Sequence, residues 1–211
     1  ILRSVLNSFV LSAGATLVII VIGTMGAYPI SRRIIMGAKQ LKLYYLIGLM
    51  VPAYGMLIPM VRLFTQLGLR DKYIPMILLY AGINFPISMY LIIGYLDSVS
   101  REIDEAALID GCTVPQTLFR IIFPLCGPGI STAGILTFLN VYNELVFANT
   151  LLQRKSMMTI SVTLLGLKGE RFTSWGVMFA AIVLSILPIL IVYLLMQEKI
   201  EAGVTNGAVK G

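Results

Sequence analysis

The sequence predicts an all-α fold, a polytopic bundle of membrane-spanning helices carrying one long polar loop. Three observations predict it. Of the 211 residues, 58% are hydrophobic and 12% charged, about half the charge content of a soluble domain. Mean hydropathy is +0.91. Apolar segments long enough to cross a bilayer, which takes about 20 residues, recur along the chain. Between the third and the fourth lies an acid-rich stretch with helical periodicity that is neither apolar nor a short connector. No segment outside these is large enough for a soluble domain and no repeat is visible, so residues 1–211 read as a single transmembrane domain.

The first predicted span is 5–30. Gly23 and Ala27 form a small-xxx-small pair that lets a neighbouring helix approach closely. Ser31, Arg32 and Arg33 close the span, and a short basic connector with Lys39 and Lys42 follows. The second span, 43–64, is interrupted by Pro52, Gly55 and Pro59. Such breaks occur beside transport pathways and equally at packing kinks. Residues 66–72 form a polar turn, and the third span is 73–96, with Asn84 and Ser88 on one face. The fourth is 128–151, where Asn140, Asn143 and Glu144 recur at i, i+3, i+4. A connector follows whose 157–167 part is apolar enough to lie in the membrane interface. The fifth span is 175–196, with Trp175 and Tyr193 placed for aromatic belts, and 197–211 reads as a short glycine-rich tail.

The polar loop is 97–125, and its first part carries Asp97, Glu102, Asp104, Glu105 and Asp110. Ile103, Ala106 and Ala107 share one helical face; Val114, Leu118, Ile121, Ile122 and Leu125 share another. Gly111 between them is the natural turn residue, because glycine takes positive φ without penalty. Thr113 and Gln116 fit a capping box, Pro115 suits the first turn, and Pro124 stops the second helix. The loop therefore reads as helix, glycine turn, helix.

Glu105-Ala106-Ala107, then Gly111, Ile121 and Phe123-Pro124 resemble the EAA loop of bacterial ABC importer permeases, which usually have Leu where Phe123 stands. The likeness extends along the chain. Residues 7–32 are similar to the second membrane helix of maltose-type sugar permeases. Asn143-Glu144 with Phe147-Ala148 resembles a segment of the same subfamily, where Trp commonly occupies the place of Tyr142. Residues 202–211 resemble its C-terminal signature, with Val204 and Asn206 as departures. The resemblance implies a bacterial inner-membrane subunit of a carbohydrate importer, with the loop and the C-terminus cytoplasmic and a sixth helix preceding Ile1. It also implies three kinds of protein partner: a second permease in a heterodimer, an ABC ATPase dimer that holds ATP and Mg, and an extracytoplasmic solute-binding protein. Basic residues divide evenly between the two sides, so the positive-inside rule does not fix the orientation by itself.

The resemblance makes Glu105, Ala106, Ala107, Asp110, Gly111, Ile121 and Pro124 the coupling residues. A carboxylate at Glu105 suits a charge-assisted contact with a partner Arg, and Ala106 and Ala107 are small enough for close docking. Leu118, Ile121 and Pro124 anchor the loop to its own helices. Asn84, Asn140, Asn143 and Glu144 are costly in a membrane and are candidates either for a substrate pathway or for bridges between helices. No phosphate-binding loop, zinc-protease motif or serine elbow is present, and there is no His, so ATP hydrolysis and other catalysis are expected on another chain, with no cofactor or metal here. Cys112 and Cys126 lack metal-ligand spacing and read as free thiols. The net charge of +6, without basic patches interleaved with aromatics, points to the lipid bilayer and not to nucleic acid. The alternatives are an ABC permease for an amino acid, peptide or polyamine, or an ion-driven transporter with Glu144 as its ionisable mid-span group.

Overall fold

The computed structural model describes the backbone of residues 1–167 and 175–208, and the side chains of 1–167 and 175–194. The likeness carried by 202–211 lies outside the described side chains, and 168–174 of the predicted connector lies outside the described backbone. Among the described residues all regular structure is helical. The helices are α1 (Leu2–Ser31), α2 (Ala38–Met50), α3 (Leu57–Gln66), α4 (Tyr73–Leu96), α5 (Glu102–Ile109) and α6 (Val114–Leu125). They continue with α7 (Gly127–Tyr142), α8 (Val146–Leu151), α9 (Ile160–Leu167) and α10 (Trp175–Ala208).

Three described helices are long and apolar enough to cross a membrane alone: α1, α4 and the Trp175–Leu194 part of α10. Two bent pairs complete a possible five. One joins α2 to the segment Ala53–Gln66 at 82°, and the other joins α6 to α7 at 76°. The first bend follows from Pro52, which forces the residue before it out of the helical region: Val51 is extended at φ −75°, ψ 118°. The second falls at Cys126, just before Gly127 and Pro128 open α7.

Three expectations change. The predicted span 128–151 is not one helix: α7 ends at Tyr142, and α8 begins at Val146. The cause is a side chain. Glu144 accepts the N–H groups of Phe147 (2.8 Å) and Ala148 (3.0 Å), so its carboxylate starts a new helix where no Gly or Pro signals a stop. The 157–167 segment does not lie free in the interface. Its helix α9 packs inward, with Ile160 and Val162 buried, the Ile160 N–H on Ser8 Oγ, and the Thr163 hydroxyl on Ser4 Oγ. The supposed tail continues α10 to Ala208, because 189–208 holds no Pro and is rich in helix formers.

The chain divides into two compact units. One comprises Ile1–Thr16, Pro52–Ile83 and Thr137–Leu195. Its core sets Val5 against Phe138, Tyr142 and Ile160. Loops within it are clamped by side chains. Asn7 donates to the carbonyls of Ser156 and Met158, and Asp71, held at φ 53°, accepts the N–H groups of Gln153 and Arg154. The other unit comprises Leu17–Val51, Asn84–Leu136 and Met196–Gly211. Its core includes Tyr28, Met89, Ile92, Ile93, Leu118 and Ile122. Gly23 and the wholly buried Ala27 lie in this core, and a Cβ at Gly23 would rest 3.4 Å from Ile92. That is the close approach expected of the small-xxx-small pair. Gly129 is the tighter case, since a Cβ there would collide with the Tyr95 side chain.

Candidate functional site

The polar loop folds as a hairpin of α5, a glycine turn and α6. Gly111 stands at φ 83°, a conformation that costs any side-chain-bearing residue. Its N–H returns to Leu108 O, and the Cys112 N–H returns to Ala107 O, which closes the end of α5. At the start of α6 the Thr113 N–H donates to Gln116 Oε1 at 2.8 Å, the contact that a capping box requires of its last residue. Thr117–Ile122 then widens into a π-helical turn. Pro124 supplies the reason: it has no N–H to give and its ring crowds the carbonyl one turn back.

Helix α5 has two unlike faces. Asp104 and Ala107, three apart, are buried. Glu105, Leu108 and Ile109, at i, i+3, i+4, are exposed, with Leu108 at 55% and Ile109 at 86%. The predicted sharing of one face by Ile103, Ala106 and Ala107 is therefore only partly right. Ala107 is buried, whereas Ala106 and Gly111 are open at the surface. Asp110 is also exposed. Leu118 and Ile122 are the buried anchors of α6, Ile121 is half-buried, and Pro124 is exposed.

Polar contacts fix the base of the hairpin. Arg32, at the end of α1, pairs with Asp104 at 2.8 Å, and the two side chains are 6% and 13% exposed. The alignment is that of an ion pair and not of a straight hydrogen bond. Tyr28 donates its hydroxyl to the other Asp104 oxygen at 2.7 Å, while Arg32 Nη1 donates to the carbonyls of Leu96 and Val99. The guanidinium thus ties three segments to one point: the end of α1, the end of α4 and α5. Asp97 accepts the Ser31 hydroxyl and Lys42 Nζ, each at 2.6 Å. Two of the five loop acids are thus structural. The basic end of α1 was visible in the sequence, but its pairing with Asp104 crosses too much chain to be read there.

The polar candidates of the spans are divided between the two units. Asn84 belongs to the second unit, whereas Asn140, Asn143 and Glu144 belong to the first. Asn140 and Asn143 are exposed, and Asn143 donates to Leu139 O within its own helix end. Glu144 takes the Tyr80 hydroxyl at 2.7 Å besides its two backbone N–H groups. With three donors on one carboxylate, it is a helix cap bound to α4. The first unit also holds a cavity of about 520 Å³, walled by apolar side chains such as Met56, Met60, Phe64, Leu78 and Phe147. Its wall offers no polar side chain to a sugar hydroxyl.

Residues 19–206 match the family described as binding-protein-dependent transport system inner membrane component. The chain belongs to this family. The permease is 35% identical over 206 residues to a probable ABC transporter permease protein, YurM, of Bacillus subtilis, covering 98% of this chain and 69% of the relative. It is 32% identical to the sulfoquinovosyl glycerol transport system permease protein SmoH of Agrobacterium fabrum, covering 97% of this chain and 72% of that protein. Its fold matches the crystal structure of a bacterial ABC transporter that imports the acidic polysaccharide alginate. There the TM-score is 0.81 at 24% identity, over 93% of this chain and 74% of the other. The permease is thus a multi-pass membrane protein of an importer family, as the loop motif implies.

Proposed function

We propose that this permease forms half of the translocation pathway of a sugar or oligosaccharide importer, and that the α5–α6 hairpin is where a separate ATPase drives it. The observation that carries the coupling role is the two-faced α5. Its outer face presents Glu105, Leu108 and Ile109, while its inner face is fastened through Asp104 to Arg32 and Tyr28. An apolar tip on a rigidly held base suits docking, because movement of the tip passes directly to the ends of α1 and α4. ATP and Mg belong on the partner ATPase dimer in this reading. A second permease completes a heterodimer, and a solute-binding protein delivers substrate on the other side of the membrane. The hairpin and the C-terminus face the cytoplasm.

The carbohydrate assignment rests on the relative named for sulfoquinovosyl glycerol and on the maltose-type likeness of residues 7–32 and 202–211. The capped state of Glu144 argues against using it as an ion site. Co-purification from native membranes in mild detergent tests the coupling role. Ile109→Asp is expected to insert normally but to lose associated ATPase by about tenfold or more, since it places a charge in a small apolar contact. Full ATPase recovery with both Ile109→Asp and Leu108→Asp would show that the tip is not the docking surface.

A further inference from the structure

Beside the hairpin base lies a second feature, whose Arg33, Lys39 and Arg101 the transport reading does not use. A polar cleft of about 200 Å³ opens at the end of α1. Five cations, Arg32, Arg33, Lys39, Lys42 and Arg101, line it together with one carboxylate, Asp97. Asp104 balances Arg32 and Asp97 balances Lys42. Arg33, Lys39 and Arg101 have no ion-pair partner among the described residues. Arg32, although buried, keeps its Nε–H without an acceptor. Arg33 sits at φ 57°, a left-handed conformation that Asn or Asp adopts far more readily than Arg. A cleft with surplus positive charge and a buried unpaired donor is built for an anion.

The neighbouring surface says which anion. Ile34, Ile35 and Met36 follow directly and are exposed, Met36 completely. They emerge where the apolar span α1 ends, so they lie at a membrane surface. Cations beside exposed aliphatic side chains suit a ligand with a charged head and a hydrocarbon body. We propose that this cleft binds the phosphate of an anionic phospholipid headgroup, with Arg33, Lys39 and Arg101 as its contacts and Ile34 to Met36 against the acyl chains.

The transporter, assembled with its partners, is placed in bilayers of four parts phosphatidylcholine to one part phosphatidylglycerol, then extracted for native mass spectrometry of retained lipid. Phosphatidylglycerol is expected to be retained well above its share of the bilayer. The variant Arg33→Gln, Lys39→Gln, Arg101→Gln lowers that preference by about tenfold or more, because each cation near an anionic surface contributes severalfold. Asp97→Asn acts in the opposite direction. It removes the single carboxylate of the cleft and raises phosphatidylglycerol retention, a gain that misfolding would not produce. Retention in proportion to bilayer composition, or no gain in Asp97→Asn, overturns the proposal. Displacement of the lipid by millimolar inorganic phosphate also overturns it, since the site would then serve a free anion.

Discussion

Arg32 and Asp97 show how burial decides the weight of a charge. The Lys42–Asp97 pair is 2.6 Å long, yet its side chains are 40% and 39% exposed, so it contributes on the order of 0–1 kcal/mol. The Arg32–Asp104 pair is of similar length but lies inside the hairpin base. Removing one member there leaves the other charge stranded, which costs about 3–5 kcal/mol, whereas removing both together can be nearly neutral. Asp104→Leu and Arg32→Met should each lower the unfolding midpoint in detergent markedly. The double variant Arg32→Met, Asp104→Leu should fall well short of the sum of the two. A double variant as unstable as that sum would show that the two residues act independently, and the base would then need another fastening.

At the scale of elements, the hairpin turn separates conformation from contact. Among the described residues, its two chain neighbours aside, no heavy atom lies within 4 Å of where a Gly111 Cβ would stand. The intrinsic effect of a side chain there is therefore only the strain of φ 83°, about 1–2 kcal/mol for Ala and less for Asn, which tolerates the left-handed region. Uptake should follow that order, with Gly111→Asn retaining more transport than Gly111→Ala. Equal and complete loss in both variants would mean that the open space at Gly111 is filled by the partner. This turn was legible in the sequence because its signals are local: Gly111, Thr113 with Gln116, and Pro124 each act within a few residues. The bounds of α4, 73–96, were legible for the same kind of reason, namely an apolar run of spanning length closed by Asp97. What was not legible depends on distant partners. The break at 143–145 needs Glu144 to turn towards Phe147 and Ala148, and that carboxylate is held by Tyr80, 64 positions away. The triad Asn140, Asn143 and Glu144 looked like one face only because the helix was assumed to continue.

For the whole molecule the open quantity is the number of crossings. Among the described residues three helices are long and apolar enough to cross alone, and each bent pair either crosses or turns back. If both pairs cross, the connector at 32–37 and the hairpin face one side of the membrane, and the turns near Lys72 and Lys155 face the other. The hairpin is fastened to the 32–37 connector through Arg32, and the turn at Asp71 is fastened to 153–154, so segments expected on a common side hold one another. Single cysteines test it in a Cys112→Ser background, where the remaining Cys126 is buried. Gln40→Cys and Ile109→Cys, both exposed, should react with a membrane-impermeant maleimide from one side only. Lys72→Cys and Lys155→Cys should react only from the other. Labelling of Lys72→Cys from the same side as Gln40→Cys would make the α2–α3 pair re-entrant. The cavity lined by Met56, Met60 and Phe64 would then lie on a loop dipping into the bilayer, where an irregular backbone survives only if protein or water covers it.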